Sequence, residues 1–149
     1  MNGSGNDSDL HRLLIEQVAD AVIYADTSGV IRLWNAAAER LFGFPAAEAI
    51  GQSLDLIIPE RLRGAHWQAF DAALACGATK HGGRATITRA QTRDGSTIYV
   101  DMSFSLLTAG DGEVLGSMAI ARDASERRAE MKALRERIAA LEQTAPPAR

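Results

Sequence analysis

The most regular pattern of apolar and polar positions lies in the second half of the chain. Alternate positions over residues 98–106 are apolar, which predicts a strand with one buried face. A turn signal at residues 93–96 precedes this strand, and another at residues 109–112 follows it. We therefore predict flanking strands at 84–92 and 114–121 that form hairpins with it. The apolar positions of the central strand are Ile98, Val100, Met102, Phe104 and Leu106.

Another hairpin is predicted near the beginning of the chain. Residues 21–26 form a run rich in β-branched and aromatic side chains, and residues 30–34 form a second one. The Asp-Thr-Ser-Gly sequence that joins the two runs is a turn signal. The two segments are therefore predicted to pair as antiparallel strands.

Capping residues predict several helices between the two groups of strands. Asn35 is a good N-cap for a short helix over 36–42, and residues 45–51 form another short helical segment. A proline in the first-turn position opens a longer helix over about residues 59–75, which Gly77 ends. This segment of the chain therefore connects the two hairpin regions through helices.

Helical periodicity marks both ends of the chain. It predicts an amphipathic helix over residues 9–20, after a flexible polar tail at 1–8. A charged helix is predicted over 124–143, followed by a short tail at 144–149. An a/d seam on the charged helix predicts pairing with a second copy or with a partner's coiled coil. The seam residues are Met131, Leu134, Ile138 and Leu141.

The order of these elements predicts the fold class. Two strands, several short helices, one longer helix and three strands lack the β-α-β alternation of a parallel sheet. The 149 residues are enough for one domain with a real core. We therefore predict a single α+β domain over residues 21–123, with a five-stranded antiparallel sheet and helices on one face.

Composition narrows the function classes. A net charge of −3 argues against a nucleic-acid partner, and no apolar run approaches the roughly 20 residues that span a membrane. Cys76 is the single cysteine, which excludes an internal disulfide and a Cys-rich zinc site and fits the reducing cytoplasm. The sequence has no nucleophile elbow and no phosphate-binding loop, so we do not expect an enzyme.

Several short motifs, in their order and spacing, resemble a PAS domain over roughly residues 10–125. The resemblance implies a sensory or interaction module with a pocket between the inner sheet face and the short helices. PAS domains bind very different ligands or none, so the fold alone does not fix the function. The matching segments are residues 20–26, 29–31, 34–43, 93–96 and 121–127.

His66 is the first candidate for chemistry. It shares an apolar helical face with Leu62, Phe70 and Ala73, so its imidazole is expected to face the sheet. A neutral imidazole in an apolar cleft is an effective axial ligand for haem iron. Val100, Met102 and Phe104 on the inner sheet face are expected to supply the flat apolar slot that haem needs. The alternative is a packed histidine bonded to a backbone carbonyl.

The resemblance extends to haem-binding PAS domains of bacterial oxygen sensors. These carry a helical proline seven residues before the proximal histidine, and Pro59 and His66 have this spacing. Thr86 falls where these sensors place an arginine that contacts oxygen, and Arg84 falls where one of them places a distal methionine. Met102 falls at an apolar position of the distal wall.

The departures on the distal side alter the expected ligand chemistry. Thr86 is a weaker hydrogen-bond donor than a guanidinium, which weakens the case for stable oxygen binding. Met102 is a candidate sixth ligand, and a His/Met iron responds to redox state, carbon monoxide or nitric oxide. Arg84 is a candidate contact for a haem propionate or another anion. His81 is expected to be an exposed loop residue.

The sequence thus predicts a cytoplasmic sensory module that binds haem b through His66. It is expected to form a homodimer and to signal in trans to a histidine kinase or another signalling protein. Flavin is a less favoured cofactor, and the Asn-Cys-Arg-Phe motif of flavin–thiol photosensors is absent from the sequence. The remaining alternative is a haem-free interaction module whose pocket is filled by side chains.

Overall fold

The computed structural model describes residues 3–79 and 82–144 of the chain. Five strands form one antiparallel sheet, and the helices stand before, between and after them. The strands are β1 Ala21–Asp26, β2 Ile31–Trp34, β3 Thr86–Gln91, β4 Thr97–Thr108 and β5 Val114–Asp123. The helices are α1 Gly3–Gln17, α2 Ala36–Phe42, α3 Ala46–Ala49, a 3₁₀ helix Leu54–Ile57, α4 Glu60–Cys76 and α5 Ser125–Thr144.

The sheet order is β2-β1-β5-β4-β3 with every neighbouring pair antiparallel. This confirms the predicted α+β fold with a five-stranded sheet and a helix at each end. Strand β5 lies between the β1–β2 hairpin and the β3–β4 hairpin, so that β1 and β5 are neighbours in the middle of the sheet. The start of β1 therefore pairs with the end of β5, through Ala21 and Ala121.

Strand β4 shows the alternation that its sequence predicts. Val100 is completely buried in the core, and Met102 and Phe104 are half-buried against it. The side chains at the alternate positions of β4 belong to the outer face. There Tyr99 pairs in register with Arg89 of β3. The inner face of β4 therefore contributes to the core and borders the space between the sheet and the helices.

Asn35 joins three elements near the beginning of the chain. Its side chain caps α2 by accepting from the Ala38 amide at 3.0 Å, and it also accepts from the Val22 amide of β1 at 2.9 Å. Its amide nitrogen donates to the carbonyls of Ile15 at 2.8 Å and Asp20 at 3.1 Å. A fully buried amide is thus satisfied on both its atoms, and this fixes α1 and α2 relative to β1.

The beginning of β5 lies unusually close to β1. Gly116 has a φ of 148°, and a Cβ at this position would lie 2.0 Å from the carbonyl oxygen of Ala25. Only glycine permits this approach, because every other residue carries that carbon. The Tyr24 hydroxyl donates to the Leu115 carbonyl at 2.7 Å, which fixes the same segment from the outer face.

Some element boundaries differ from the sequence prediction. The tail predicted over residues 1–8 is wrong for residues 3–8, because α1 begins at Gly3, and this helix ends at Gln17. Extending a helix adds one hydrogen bond for each residue fixed, so a helix started by the leucines extends into a weakly helical sequence. Pro59 has an extended ψ of 138° and is the N-cap of α4 rather than its first residue. Residues 1–2 and 145–149 and the predicted loop residue His81 lie outside the described residues.

Both terminal helices expose their apolar side chains. On α1, Leu10, Leu13 and Leu14 are about half exposed. The seam of α5 is also open, with Leu134 58% exposed and Leu141 62% exposed. No helix in the described part of the chain combines the length and the apolar character that crossing a membrane requires.

Candidate functional site

A cavity of about 460 Å³ lies between α4 and the inner face of the sheet. Its volume falls in the range of small-molecule and cofactor sites. The structure brings six of the seven predicted site residues together in its lining. They are His66, Phe70, Arg84, Thr86, Met102 and Phe104. Val100 is not among the lining residues, because its side chain is completely covered in the core.

His66 projects from the face of α4 that covers the sheet. Between ring centres, His66 lies 6.0 Å from Phe104 of the sheet and 6.1 Å from Phe70 one turn along the helix. The Trp67 ring packs nearly perpendicular to the imidazole, with the two ring centres 4.9 Å apart. The imidazole is therefore held among aromatic rings at the wall of the cavity, as the helical periodicity predicted.

The surroundings of His66 favour the uncharged form of its imidazole. Burial lowers its pKa, and the negative charge of Asp55 opposes this effect only in part. Its Nδ1 atom is buried and has no hydrogen-bond partner within the described residues. The alternative of a histidine bonded through Nδ1 to a backbone carbonyl therefore finds no support in the structure.

The side of α4 facing away from the cavity is fixed by polar bonds and by close packing. The Trp67 indole donates to the Asp55 carboxylate at 2.8 Å, and Arg63 donates to the carbonyls of Asp55 and Ile58 at 3.2 and 3.0 Å. The Trp67 ring lies against Gly29 in the β1–β2 turn, where a Cβ would be 2.2 Å from Cη2. These contacts determine which face of the helix carries His66 into the cavity.

The wall opposite His66 consists of sheet residues. Thr86 and Met102 are direct cross-strand partners on β3 and β4, so their side chains are neighbours at about 5 Å. Phe104 pairs with Ala119 of β5 in the next row. The Met102 thioether, the Thr86 hydroxyl and the Phe104 ring thus line the cavity on the sheet side.

The edge of the cavity nearest β3 is open to solvent. Arg84 and Thr86 are both exposed there, and Thr79 lines the same region after the end of α4. Within the described residues, Arg84 makes no ion pair and no side-chain hydrogen bond. The Arg84 guanidinium is thus available to an anionic group.

A bare metal ion has no ligand set in this cavity. The described residues contain no group of three or more His, Cys, Asp or Glu side chains that could hold a metal. A metal at His66 would need a cofactor that brings its own equatorial ligands, because a single imidazole does not bind one strongly. The apolar lining and the lone histidine fit an iron porphyrin in this respect.

A second, shallower groove of about 320 Å³ contains none of the predicted site residues. It lies between the 3₁₀ helix and the β3–β4 turn, and Arg63 and Arg93 line it. Both guanidiniums already have partners, since Arg93 pairs with Glu48 at 3.1 Å and Arg63 bonds to backbone carbonyls. This groove is therefore a weaker candidate for a ligand site.

Sequence reasoning missed two parts of the site. Asp55 and Trp67 are twelve residues apart, and no local motif indicates that their side chains bond. Ser117 lies in the last strand and is 2% exposed at the cavity wall. A serine within the largely buried part of β5 is itself a signal, because serine is mostly an exposed residue.

Comparison with known proteins supports the same family. The model of the PAS fold matches residues 10–124. The sensor protein FixL of Bradyrhizobium diazoefficiens is 32% identical over 99 residues, which are 66% of this chain and 20% of FixL. The oxygen sensor protein DosP of Escherichia coli is 29% identical over 128 residues, which are 86% of this chain and 16% of DosP. This chain therefore spans a fifth or less of the length of these curated relatives.

A solved structure agrees with the architecture. The PAS domain of a protein from Colwellia psychrerythraea matches with a TM-score of 0.70 at 20% identity, over 80% of this chain and 98% of that one. This likeness concerns the fold alone. Together with a family match over more than half of the sequence, it leads to one conclusion: the chain belongs to the PAS family.

Proposed function

We propose that this PAS domain is a sensor that holds haem b through His66 and reports a diatomic gas or the redox state. PAS domains are sensory and interaction modules, and two relatives of this chain are named as a sensor and an oxygen sensor. The observation that carries the proposal is His66 itself. It is a neutral imidazole with an unpartnered buried Nδ1, and it faces a largely apolar cavity of about 460 Å³.

The residues that would hold the cofactor have distinct roles. When bound, haem supplies an iron centre that binds diatomic gases and changes its oxidation state. The His66 imidazole would bind the iron, and Phe70 and Phe104 would pack against the porphyrin. Arg84 at the open edge is positioned for a propionate carboxylate, because it has no competing acidic partner within the described residues.

Met102 and Thr86 determine what happens on the side opposite His66. Met102 is the proposed sixth ligand, since its thioether projects from the wall that faces the imidazole. Thr86 beside it offers one hydroxyl, which stabilises a polar diatomic ligand less than a guanidinium would. This combination favours a response to redox state, carbon monoxide or nitric oxide over stable oxygen storage.

Strand β4 connects the cavity to the terminal helix. Met102 lines the cavity, while Tyr99 and Asp101 hold the beginning of α5 from the outer face. The Arg128 guanidinium lies 3.8 Å from the centre of the Tyr99 ring, and Arg127 pairs with Asp101. A shift of β4 at Met102 therefore changes the contacts that set the direction of α5.

The open seam of α5 is the proposed output. We propose that it pairs with a second copy to form a homodimer in the cytoplasm. The same seam would dock on a histidine kinase or another signalling protein in trans. Leu134, Ile138 and Leu141 are each more than half exposed, so their burial against a helical partner is favourable.

A visible absorption spectrum tests the cofactor assignment. The purified chain is titrated with hemin and measured oxidised and reduced, beside His66→Ala and the control variant His11→Ala, whose histidine is exposed on α1. We expect a Soret band in the wild type and in the control, and its loss in His66→Ala. The absence of a saturable Soret band in the wild type would contradict the haem proposal.

The same titration tests the sixth ligand. Met102→Leu keeps the apolar volume and removes the sulfur. We expect the reduced spectrum to change from a six-coordinate to a five-coordinate form. An unchanged reduced spectrum removes Met102 from the coordination of the iron and leaves His66 as the single protein ligand.

The second candidate is a haem-free interaction module, with flavin as a less favoured cofactor. The observation that favours it is the exposure of apolar stripes on both terminal helices, which needs no ligand in the cavity. A wild type that binds neither hemin nor flavin but self-associates through α5 would favour this second function.

A further inference from the structure

The imidazole of His66 lacks the hydrogen bond that usually orients a metal-ligating histidine. Such a histidine donates its second ring N–H to a carboxylate, a carbonyl or a water, and this bond fixes the ring. In His66 the Nδ1 atom is buried and has no partner within the described residues. The orientation of the imidazole must therefore come from the side chains packed around it.

Trp67 is the aromatic ring that lies closest to the imidazole. The centres of these two rings are 4.9 Å apart, and their planes meet at 80°. The rings of Phe104 and Phe70 are farther away, at 6.0 and 6.1 Å between centres. An indole that is fixed in place therefore limits the orientations that the imidazole can adopt.

The position of the Trp67 indole depends on Asp55 of the 3₁₀ helix. The indole Nε1 donates to the Asp55 carboxylate at 2.8 Å. Arg63 lies 3.9 Å from the same carboxylate oxygen, and its hydrogen bonds go to backbone carbonyls. Within the described residues, the indole is therefore the side chain that bonds this carboxylate directly.

The charge of Asp55 also acts on His66. Burial lowers the pKa of His66, and the negative charge of Asp55 raises it. The Asp55 side chain is 40% exposed, so water screens part of this effect. A negative charge that favours a protonated imidazole also favours a higher positive charge on a metal that the imidazole binds.

We infer that Asp55 is a positioning residue of the site, which orients the His66 imidazole through the Trp67 indole and stabilises the oxidised form of the metal that His66 binds. This role rests on the proposed function, in which that metal is haem iron. The carboxylate bonds the neighbouring ring instead of Nδ1 itself. Oxidised haem iron carries one positive charge more than reduced iron, so loss of the carboxylate favours reduction.

Two substitutions separate the hydrogen bond of Asp55 from its charge. Asp55→Asn keeps an acceptor oxygen for the indole and removes the negative charge, whereas Asp55→Ala removes both. Asp111→Asn is the matched control for the charge. Asp111 is an exposed carboxylate in the β4–β5 turn that accepts from the Glu113 amide at 3.0 Å, and asparagine keeps that bond.

An NMR spectrum of the haem-free protein tests the orientation. The chain has two tryptophans, and the Trp34 indole, which donates to the Phe44 carbonyl at 2.9 Å, is the internal reference. In Asp55→Ala we expect the Trp67 indole N–H to exchange with solvent roughly tenfold faster. The His66 ring signals should also shift at about pH 8, where the imidazole is neutral. Both changes should be much smaller in Asp55→Asn, and His66 signals that do not move in Asp55→Ala would overturn the inference.

A redox titration of the hemin-loaded protein tests the charge. At the potential where the wild type is half reduced, we expect the ratio of oxidised to reduced haem to fall about threefold in Asp55→Asn. Asp111→Asn should keep the wild-type ratio. Because asparagine keeps the bond to the indole, a merely structural role of Asp55 would leave the ratio unchanged in Asp55→Asn. That result would overturn the inference.

The two measurements distinguish failure of this role from failure of the haem proposal. If the wild type takes up no hemin, the haem proposal fails, and the NMR comparison still decides whether Asp55 orients His66. If the wild type binds hemin and either expected change is missing, the role of Asp55 is wrong while the haem site stands.

Discussion

At the scale of single residues, His66 is the centre of the proposal because its surroundings favour the uncharged form. Its pKa is lowered mainly by burial, and Asp55 acts in the opposite direction. The uncharged ring retains a lone pair, which a metal ligand needs. The same burial also links folding of the empty domain to pH.

The expected pH dependence follows from the sign of this shift. The unfolded chain protonates histidine below about pH 6.5, whereas the folded chain resists protonation at His66. The contribution of His66 to stability is therefore complete above that pH and is lost as pH falls towards the lowered pKa. Between about pH 7.5 and about pH 5.5, we expect the melting temperature of the haem-free wild type to fall further than that of His66→Gln. Equal decreases in the two proteins would contradict this account.

At the scale of elements, α4 carries His66 and is positioned by its opposite face. Trp67 joins it to the 3₁₀ helix through Asp55 and to the β1–β2 turn through Gly29. Helix, turn and 3₁₀ helix therefore behave as one packed unit beside the cavity. A substitution in the β1–β2 turn should therefore alter the position of the imidazole, even though the turn does not line the cavity.

Gly29→Ala tests this unit. Gly29 has a φ of 76°, whereas Gly51 has a φ of 92° and open space for 4 Å around the point that a Cβ would occupy, so Gly51→Ala is the matched control. Both variants bear the cost of a left-handed alanine, about 1 kcal/mol or somewhat more. Only Gly29→Ala also collides with Trp67, and we expect it to be about 2 kcal/mol less stable than the control in urea unfolding. Equal losses of stability in the two variants would show that the Trp67 ring moves aside without cost.

Local signals in the sequence were sufficient for most elements. The alternation in β4 and the caps of α2 at Asn35 and Gly43 each predicted what the structure shows. The beginning of α1 was not predictable, because helix extension overrides weak residue preferences. The bond from Trp67 to Asp55 and the place of Ser117 at the cavity wall were also missed, since both depend on which elements meet in space.

At the scale of the whole molecule, the terminal helices carry most of the exposed large apolar side chains of the described residues. The beginning of α5 contacts β4, and the same strand lines the cavity. One strand would therefore connect association through α5 to the cavity. The proposed homodimer is the simplest arrangement that covers this seam.

Leu134→Glu tests the proposed association. A charge in the seam should weaken pairing of two copies, because it would have to be buried without a partner. We expect sedimentation velocity to show a shift from dimer towards monomer in Leu134→Glu, with Ala133→Glu on another face of α5 retaining the wild-type distribution. A wild type that is monomeric at all concentrations would contradict the dimer.

The pairing of β1 with β5 has a consequence for protein architecture. Ala21 and Ala121 are cross-strand partners, and Asp20 and Arg122 next to them form a two-point ion pair at 3.1 and 2.9 Å. The chain thus enters and leaves the sheet one strand spacing apart, about 5 Å. A domain with such closely spaced entry and exit can be spliced between two helices of a host protein with little displacement of either. The domain can thus be inserted as one unit, and the residues that line its cavity can change while the two connections stay in place.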